Sequence, residues 1–205
     1  MRRVLVLFAH PVLERSRVNK RLVDAIDHLE GVKIHDLYEA YPTMGIDVRR
    51  EQALLVEHDV IVFQHPFYWY SAPSILKEWQ DLVLEHGWAY GDGGDKLRGK
   101  ITFNAITTGG PEAAYRKGGY NRFTIKELLA PWDQTAYLCG MRYLAPFAVH
   151  AALRVIGDSD VAASRLTYVK LLEALRDDRL DLDRAAAAEN LALTLDDVMA
   201  PREVA

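Results

Sequence analysis

With a single cysteine in 205 residues, Cys139, the chain can form no internal disulfide and no metal site built from several thiolates. Positive charge is not in excess either. Lys and Arg number 25 against 29 Asp and Glu, for a formal net charge of -4, so no basic field draws in nucleic acid or anionic lipid. Long apolar runs are missing. The run from Val4 to Ala9 follows Arg2 and Arg3 in the manner of a secretory leader, but it is short, His10 and Pro11 stop it, and no small-residue cleavage site follows. The expected setting is the cytoplasm. Seven histidines lack an H-x-x-x-H or similar metal spacing, and neither G-x-S-x-G nor a G-x-G-x-x-G after a strand occurs. The nearest approach to a phosphate-loop motif, Gly94 to Lys100, precedes a strand, and Ile101 stands where Ser or Thr would hold magnesium. The pairs Arg2-Arg3 and Arg49-Arg50 read as solvated charge, with no nucleic-acid role.

What the chain does have is a repeated alternation of strand and helix. "RRVLVLFAHP" is apolar without alternation, as suits a strand buried on both faces of a parallel sheet. From Ser16 the period changes: Val18, Leu22, Ala25, Ile26 and Leu29 share a helical face, and Gly31 ends it. "VKIHDLY" reads as a weaker second strand, Val48 to Glu57 as a short helix, and "DVIVFQHP" as a third, buried strand. Pro73 opens the next helix, whose stripe is Ile75, Leu76, Trp79, Leu82 and Val83. "KITFNAITTGG" is the fourth strand and "MRYLAPFAVH" an irregular fifth, interrupted by Pro146. An amphipathic helix from Ser159 to about Arg176 closes the series. The expectation is one doubly wound α/β domain with ligands at the carboxyl ends of its strands. Two parts fall outside that pattern. "LEHGWAYGDGGDKLRGK" is a long loop suited to covering a site or a partner subunit. Residues 179–205 show no clear packing partner and read as a surface helix or mobile end.

Three loops would leave the same end of the sheet. "HPVLERSRVNK" offers Ser16, Asn19 and the free amides of a helix start, which suit an anion, although Ser16 can equally be a plain N-cap. "TTGGPEAAYRKGGYN" carries Thr107, Thr108, Gly109 and Gly110, which let backbone approach a flat ligand and also make an ordinary turn; Tyr115, Tyr120 and Asn121 add polar groups. "HPFYWYSAP" sets Phe67, Tyr68, Trp69 and Tyr70 on a loop, where a ligand, a second subunit or the core must cover them.

As an ordered set, "FAHP" with Ser16 and Asn19-Lys20, "QHPFYWYSAPSILKEW", "HGWAYG", "TTGG" and "YLCG" cover most of residues 3–150. With them the chain resembles the flavodoxin-like NAD(P)H:quinone oxidoreductases, most of all the ancillary flavoproteins of glutathione-regulated potassium-efflux systems. The resemblance implies a five-stranded parallel sheet of order 2-1-3-4-5, with residues 1–178 as the flavin-binding domain. It implies noncovalent FMN, with FAD as the alternative, and NAD(P)H as co-substrate passing hydride to flavin N5 before a quinone takes two electrons. His10, Ser16, Arg17, Val18 and Asn19 would cradle the phosphate. Phe67, Tyr68, Trp69 and Tyr70 would run along the isoalloxazine and ribityl chain, with Thr107, Thr108, Gly109 and Gly110 at the ring edge. Tyr115 matches a tyrosine that stabilises charge on the reduced ring; some relatives have a histidine a few residues further on, where Asn121 stands here. The resemblance also implies a homodimer with its site at the interface, Trp88 and Tyr90 being donated across it and Tyr120 and Asn121 lying on the substrate or interface side. A regulatory subunit docked on a potassium-efflux antiporter, peripheral at the inner membrane, is the alternative reading. An electron-carrier flavodoxin fits less well, because such carriers are shorter, more acidic and without the long loop.

Overall fold

Val4–Phe8 forms the first strand, β1, and every residue in it is buried. Successive side chains on a strand point to opposite faces. Val4, Val6 and Phe8 accordingly serve one half of the core, while Leu5, Leu7 and Ala9 serve the other. An apolar run without alternation is what a central strand covered on both faces requires. The computed structural model describes residues 1–200; residues 201–205, the end of the expected tail, lie outside the described residues.

After β1 come α1 (Asn19–Ile26), β2 (Val32–Asp36), α2 (Leu37–Ala40), α3 (Val48–Glu57), β3 (Val60–Pro66), α4 (Ser74–Val83) and β4 (Ile101–Thr107). The remainder is α5 (Ile125–Leu128), α6 (Ala130–Leu138), β5 (Arg142–Tyr143), β6 (Phe147–Val149), α7 (Ala162–Arg176), α8 (Leu182–Ala187) and α9 (Leu191–Thr194). These strands pair in parallel in the order β2-β1-β3-β4-β5, the expected 2-1-3-4-5. The fifth strand is divided: β5 pairs with the start of β4 and β6 with its end. Pro146, which has no N–H to donate, lies in the break. Leu22 and Ile26 of α1 and Tyr168, Leu171 and Leu175 of α7 fill one face; Leu55 of α3, Ile75, Leu76 and Trp79 of α4 and Trp132 of α6 fill the other.

Three expectations change. Leu82 is exposed, because residues 75, 76, 79 and 83 complete the buried stripe of α4 and 82 falls beyond its edge. The pair α5 and α6 adds to the expected series, and Thr124 and Glu127 form a capping box that marks its start. The described part of the tail is packed. Leu180, Ala185, Leu191, Leu195 and Val198 are buried in the same half-core as α7. Asn190 makes the connection: its Nδ2 donates to the Ala148 carbonyl and its Oδ1 accepts from the Ala148 N–H, each at 2.9 Å. The Leu191 N–H donates to the Pro146 carbonyl and the Ala145 N–H to the Ala185 carbonyl. Here the tail occupies the outer edge of an interrupted strand, which would otherwise present unpaired backbone groups.

On the other face one carboxylate ties three elements together. Glu51 of α3 is fully buried; Oε1 accepts from Tyr41 at 2.5 Å and meets His35 Nε2 of β2 at 2.8 Å, while Oε2 accepts from Trp79 Nε1 of α4 at 2.8 Å. Burial alone raises such a carboxyl, but the bonds from His35, Tyr41 and Trp79 outweigh it and hold Glu51 below the ordinary carboxylate value. With the folded value below the unfolded one, the contribution to stability is complete above the ordinary carboxylate range and is lost as pH falls through the folded value. Glu51→Ala leaves three buried donors without an acceptor and is expected to cost about 3 kcal/mol or more in urea unfolding. Glu51→Gln should flatten the acid limb of wild-type stability; an unchanged limb would show that other carboxylates set it.

Candidate functional site

Because β1, β3, β4 and β6 are in parallel register, their carboxyl ends lie side by side. Phe8 pairs with Gln64, Gln64 with Ala105 and Ala105 with Phe147. The ladder persists just past the strands: Ala9 N–H donates to the Gln64 carbonyl, Phe67 N–H to Thr107 and Thr108 N–H to Val149, at 2.9 to 3.0 Å. Beyond these bonds the loops diverge around an open cleft of about 930 Å³. That volume falls in the range of small-molecule sites. His10, Ser16, Arg17, Val18, Asn19, Phe67, Tyr68, Trp69, Thr107, Thr108 and Gly109, all expected at a ligand, line this one cleft.

One wall is the start of α1, whose first-turn N–H groups have no partner within the helix. Ser16 Oγ accepts from the Lys20 N–H at 3.2 Å, so it does act as a local cap, while the helix N-cap position itself is Val18. Asn19 is almost fully buried; its Nδ2 donates to Thr107 Oγ1 at 2.8 Å and its Oδ1 has no partner. The Thr107 hydroxyl can accept from the amide or donate to it, so Asn19 can present either polar atom to a ligand. Burial holds the His10 imidazole below its ordinary value, against the attraction of Asp36. Arg17 turns its guanidinium to the carbonyls of Leu153 and Val155, at 2.6 and 3.4 Å, and so clasps the loop after β6.

The aromatic wall is strained and exposed. Trp69 and Tyr70 have φ of 51° and 61°, the left-handed region that costs a side-chain-bearing residue about 1–2 kcal/mol. Trp69 is 92% exposed. Tyr70 does not line the cleft; its hydroxyl donates to Asn121 Oδ1 at 3.2 Å and ties the aromatic loop to the loop after β4. Across the cleft, a Cβ on Gly109 would meet Leu153 at 3.3 Å. Gly110 lies outside the lining, against the Tyr115 ring.

Tyr115 is also set back, packed between Phe67 at 6.3 Å and His150 at 5.6 Å between ring centroids. The imidazole beside this tyrosine is thus His150, at the end of β6, while the position a few residues on is Asn121. Thr108 Oγ1 donates to the Gly110 carbonyl at 2.8 Å and meets His150 Nδ1 at 3.1 Å, which assigns the proton to Nδ1. Burial lowers the His150 value, with Glu112 opposing, and favours the neutral ring. His150, Ala152 and Leu153 carry no motif. Their one signal was topological, since the carboxyl end of the fifth strand must share this edge. Val12, Arg15 and Pro66 also line the cleft unanticipated. Tyr120 is 91% exposed on the loop after β4. Trp88 and Tyr90 pack against the half-core of α3 and α4, in the loop between α4 and β4, and do not line the cleft of their own chain. Among the described residues no group of three or more His, Cys, Asp or Glu could hold a metal ion, and no helix is long and apolar enough to cross a membrane.

The "Glutathione-regulated potassium-efflux system ancillary protein KefG" of Serratia proteamaculans is 51% identical over 152 residues, 74% of this chain and 83% of that protein. A solved general stress protein 14 from Treponema denticola, in complex with FMN, superposes with a TM-score of 0.79 at 39% identity, covering 84% of this chain and 99% of the other. An NADPH-quinone reductase from P. pentosaceus gives a TM-score of 0.73 at 32% identity, covering 85% and 97%. A family model described as the flavodoxin-like fold matches residues 2–172. By that match and these relatives the chain belongs to the flavodoxin-like NAD(P)H oxidoreductase family.

Proposed function

We propose that this chain is an FMN-dependent oxidoreductase that transfers two electrons from NAD(P)H to a quinone. One observation carries the reading: a single cleft joins an anion-suited helix start, with Ser16, Asn19 and the Arg15 cation, to the aromatic run Phe67, Tyr68 and Trp69. FMN has those two characters, a phosphate and a flat ring. The FMN complex of the Treponema relative and the name of the NADPH-quinone reductase support the same assignment. FAD is the alternative flavin.

In this reading Ser16, Asn19 and the first-turn amides of α1 hydrogen-bond the phosphate, and His10, Arg17 and Val18 complete its wall. Phe67, Tyr68 and Trp69 bound the ring and ribityl chain, Tyr70 braces them through Asn121, and Thr107, Thr108 and Gly109 form the ring-edge side, with Gly110 behind them against Tyr115. When bound, FMN supplies the redox chemistry, taking hydride at N5 from a nicotinamide and passing two electrons to a quinone that replaces it. The chain's own work is to bind, orient and exclude water. Tyr115, ordered by Phe67 and His150, is the residue assigned to stabilising negative charge on the reduced ring.

The assembly belongs to the same proposal. A homodimer would cover Trp69 and Tyr120 and bring Trp88 and Tyr90 of the partner subunit to the cleft, with Tyr120 and Asn121 on the substrate or interface side. The name of the Serratia relative favours a second role, as an ancillary protein of a potassium-efflux system; in that role the chain would sit in the cytoplasm, held at the inner membrane through an antiporter partner.

Purified protein given FMN should gain the flavin absorbance near about 450 nm and lose it on anaerobic addition of NADH or NADPH, with recovery on adding a benzoquinone. A flavin reduced by neither nicotinamide would end the enzymatic reading. Trp69→Ala should weaken FMN binding on the order of tenfold, while the unfolding free energy of the flavin-free chain changes by less than about 0.5 kcal/mol. The reverse pattern, lost stability with FMN affinity kept, would return Trp69 to a packing role.

A further inference from the structure

Gln64 is an anomaly. It is fully buried at the position of β3 that continues the Val60 and Val62 side of the strand, where a third aliphatic residue would pack. Its Oε1 accepts from the Tyr168 hydroxyl of α7 at 2.9 Å, and its Nε2 donates to the Asn19 carbonyl at 3.4 Å. Tyr168 is itself fully buried, its ring 4.9 Å from that of Phe147. The Asn19 side chain bonds separately to Thr107 through Nδ2, and its Oδ1 is one of two buried side-chain atoms among the described residues that lack a partner, the other being Thr102 Oγ1; with the Thr107 hydroxyl donating instead, Nδ2 takes that free position and can donate to a phosphate oxygen. Thr102 does not line the cleft, whereas Asn19 does.

Stability alone does not call for this arrangement. Replacing both partners of a buried hydrogen bond by apolar groups of the same shape is close to neutral, and an aliphatic pair would fill the space between α7 and the sheet. What the polar pair adds is a fixed point. The Asn19 carbonyl belongs to the first turn of α1, so the Gln64 amide locates the turn whose N–H groups and side chain line the cleft. We infer that Gln64 of β3 and Tyr168 of α7 are positioning residues for the cofactor phosphate, acting through Asn19, with α7 itself contributing nothing to the cleft lining. The inference rests on the flavin reading above.

Riboflavin separates this role from a structural one, because it keeps the ring and ribityl chain of FMN and lacks the phosphate. Tyr168→Phe removes one oxygen and keeps the ring. Titrated into the flavin-free full chain and followed by flavin fluorescence, FMN should bind this variant on the order of five- to tenfold more weakly, with riboflavin affinity within about twofold of wild type. Gln64→Met should reproduce the effect, and the double variant should add little, since both act on one bond path. Gln64→Met also carries the test if Tyr168→Phe fails to fold. Equal weakening of both flavins, or an unchanged FMN affinity, overturns the inference while the flavin reading stands. A wild-type chain that binds neither flavin overturns both.

Discussion

The parallel register of β1, β3 and β4 is the constraint from which the site follows. Each strand is buried along its whole length, so none can carry chemistry on its faces. The pairing Val4 with Val60, and Val60 with Ile101, brings all three to a common edge at residues 9, 67 and 108. Side chains that are polar, aromatic or conformationally unusual can appear only after that edge, and there they do. Residues as distant in the chain as Asn19 and Thr107 come within a hydrogen bond because their strands end together.

The two faces of the sheet treat buried polar groups differently. On the α3 and α4 side, Glu51 takes three donors, and this network joins β2 to two helices with no link to the cleft. On the α1 and α7 side, the bonds run from Tyr168 through Gln64 to the Asn19 backbone carbonyl, and the side chain of the same residue, bonded to Thr107, keeps an amide atom with capacity left. Desolvating that atom costs about 1–3 kcal/mol while it has no partner. A closed network fits a structural tie, and an open one points to where a ligand completes it.

Much of this was legible in residue order. The apolar runs gave β1, β3 and β4 because burial on both faces leaves no alternation to confuse them with; the alternation of strand and helix gave a doubly wound sheet, and its strand order came only with the family resemblance. The three loops were legible because Ser16, Asn19, the aromatic row and the TTGG turn are unusual in type. His150, Ala152 and Leu153 were not, being unremarkable residues that matter through where β6 ends. The packing of the tail is illegible in the sequence for a related reason. Its leucines and alanines have no strong period of their own, and the partner that orders them, the open edge at Ala148, exists only after Pro146 has broken the fifth strand. Nothing in a local window records that relation.

The aromatic loop shows how these constraints combine. Trp69 and Tyr70 hold left-handed backbone angles that cost about 1–2 kcal/mol each, and in return the chain exposes an indole to solvent. Within the isolated chain this is a net loss, since an exposed ring contributes no burial. The conformation persists because the surroundings over-determine it: Phe67 is held by the Thr107 carbonyl and Ser71 by that of Tyr68, while the Tyr70 hydroxyl is drawn to Asn121. Three bonds from three directions leave the intervening residues little freedom to relax. A loop so constrained is preformed for contact, so a flat ligand or a second subunit that meets Trp69 need not meet the entropy of ordering it.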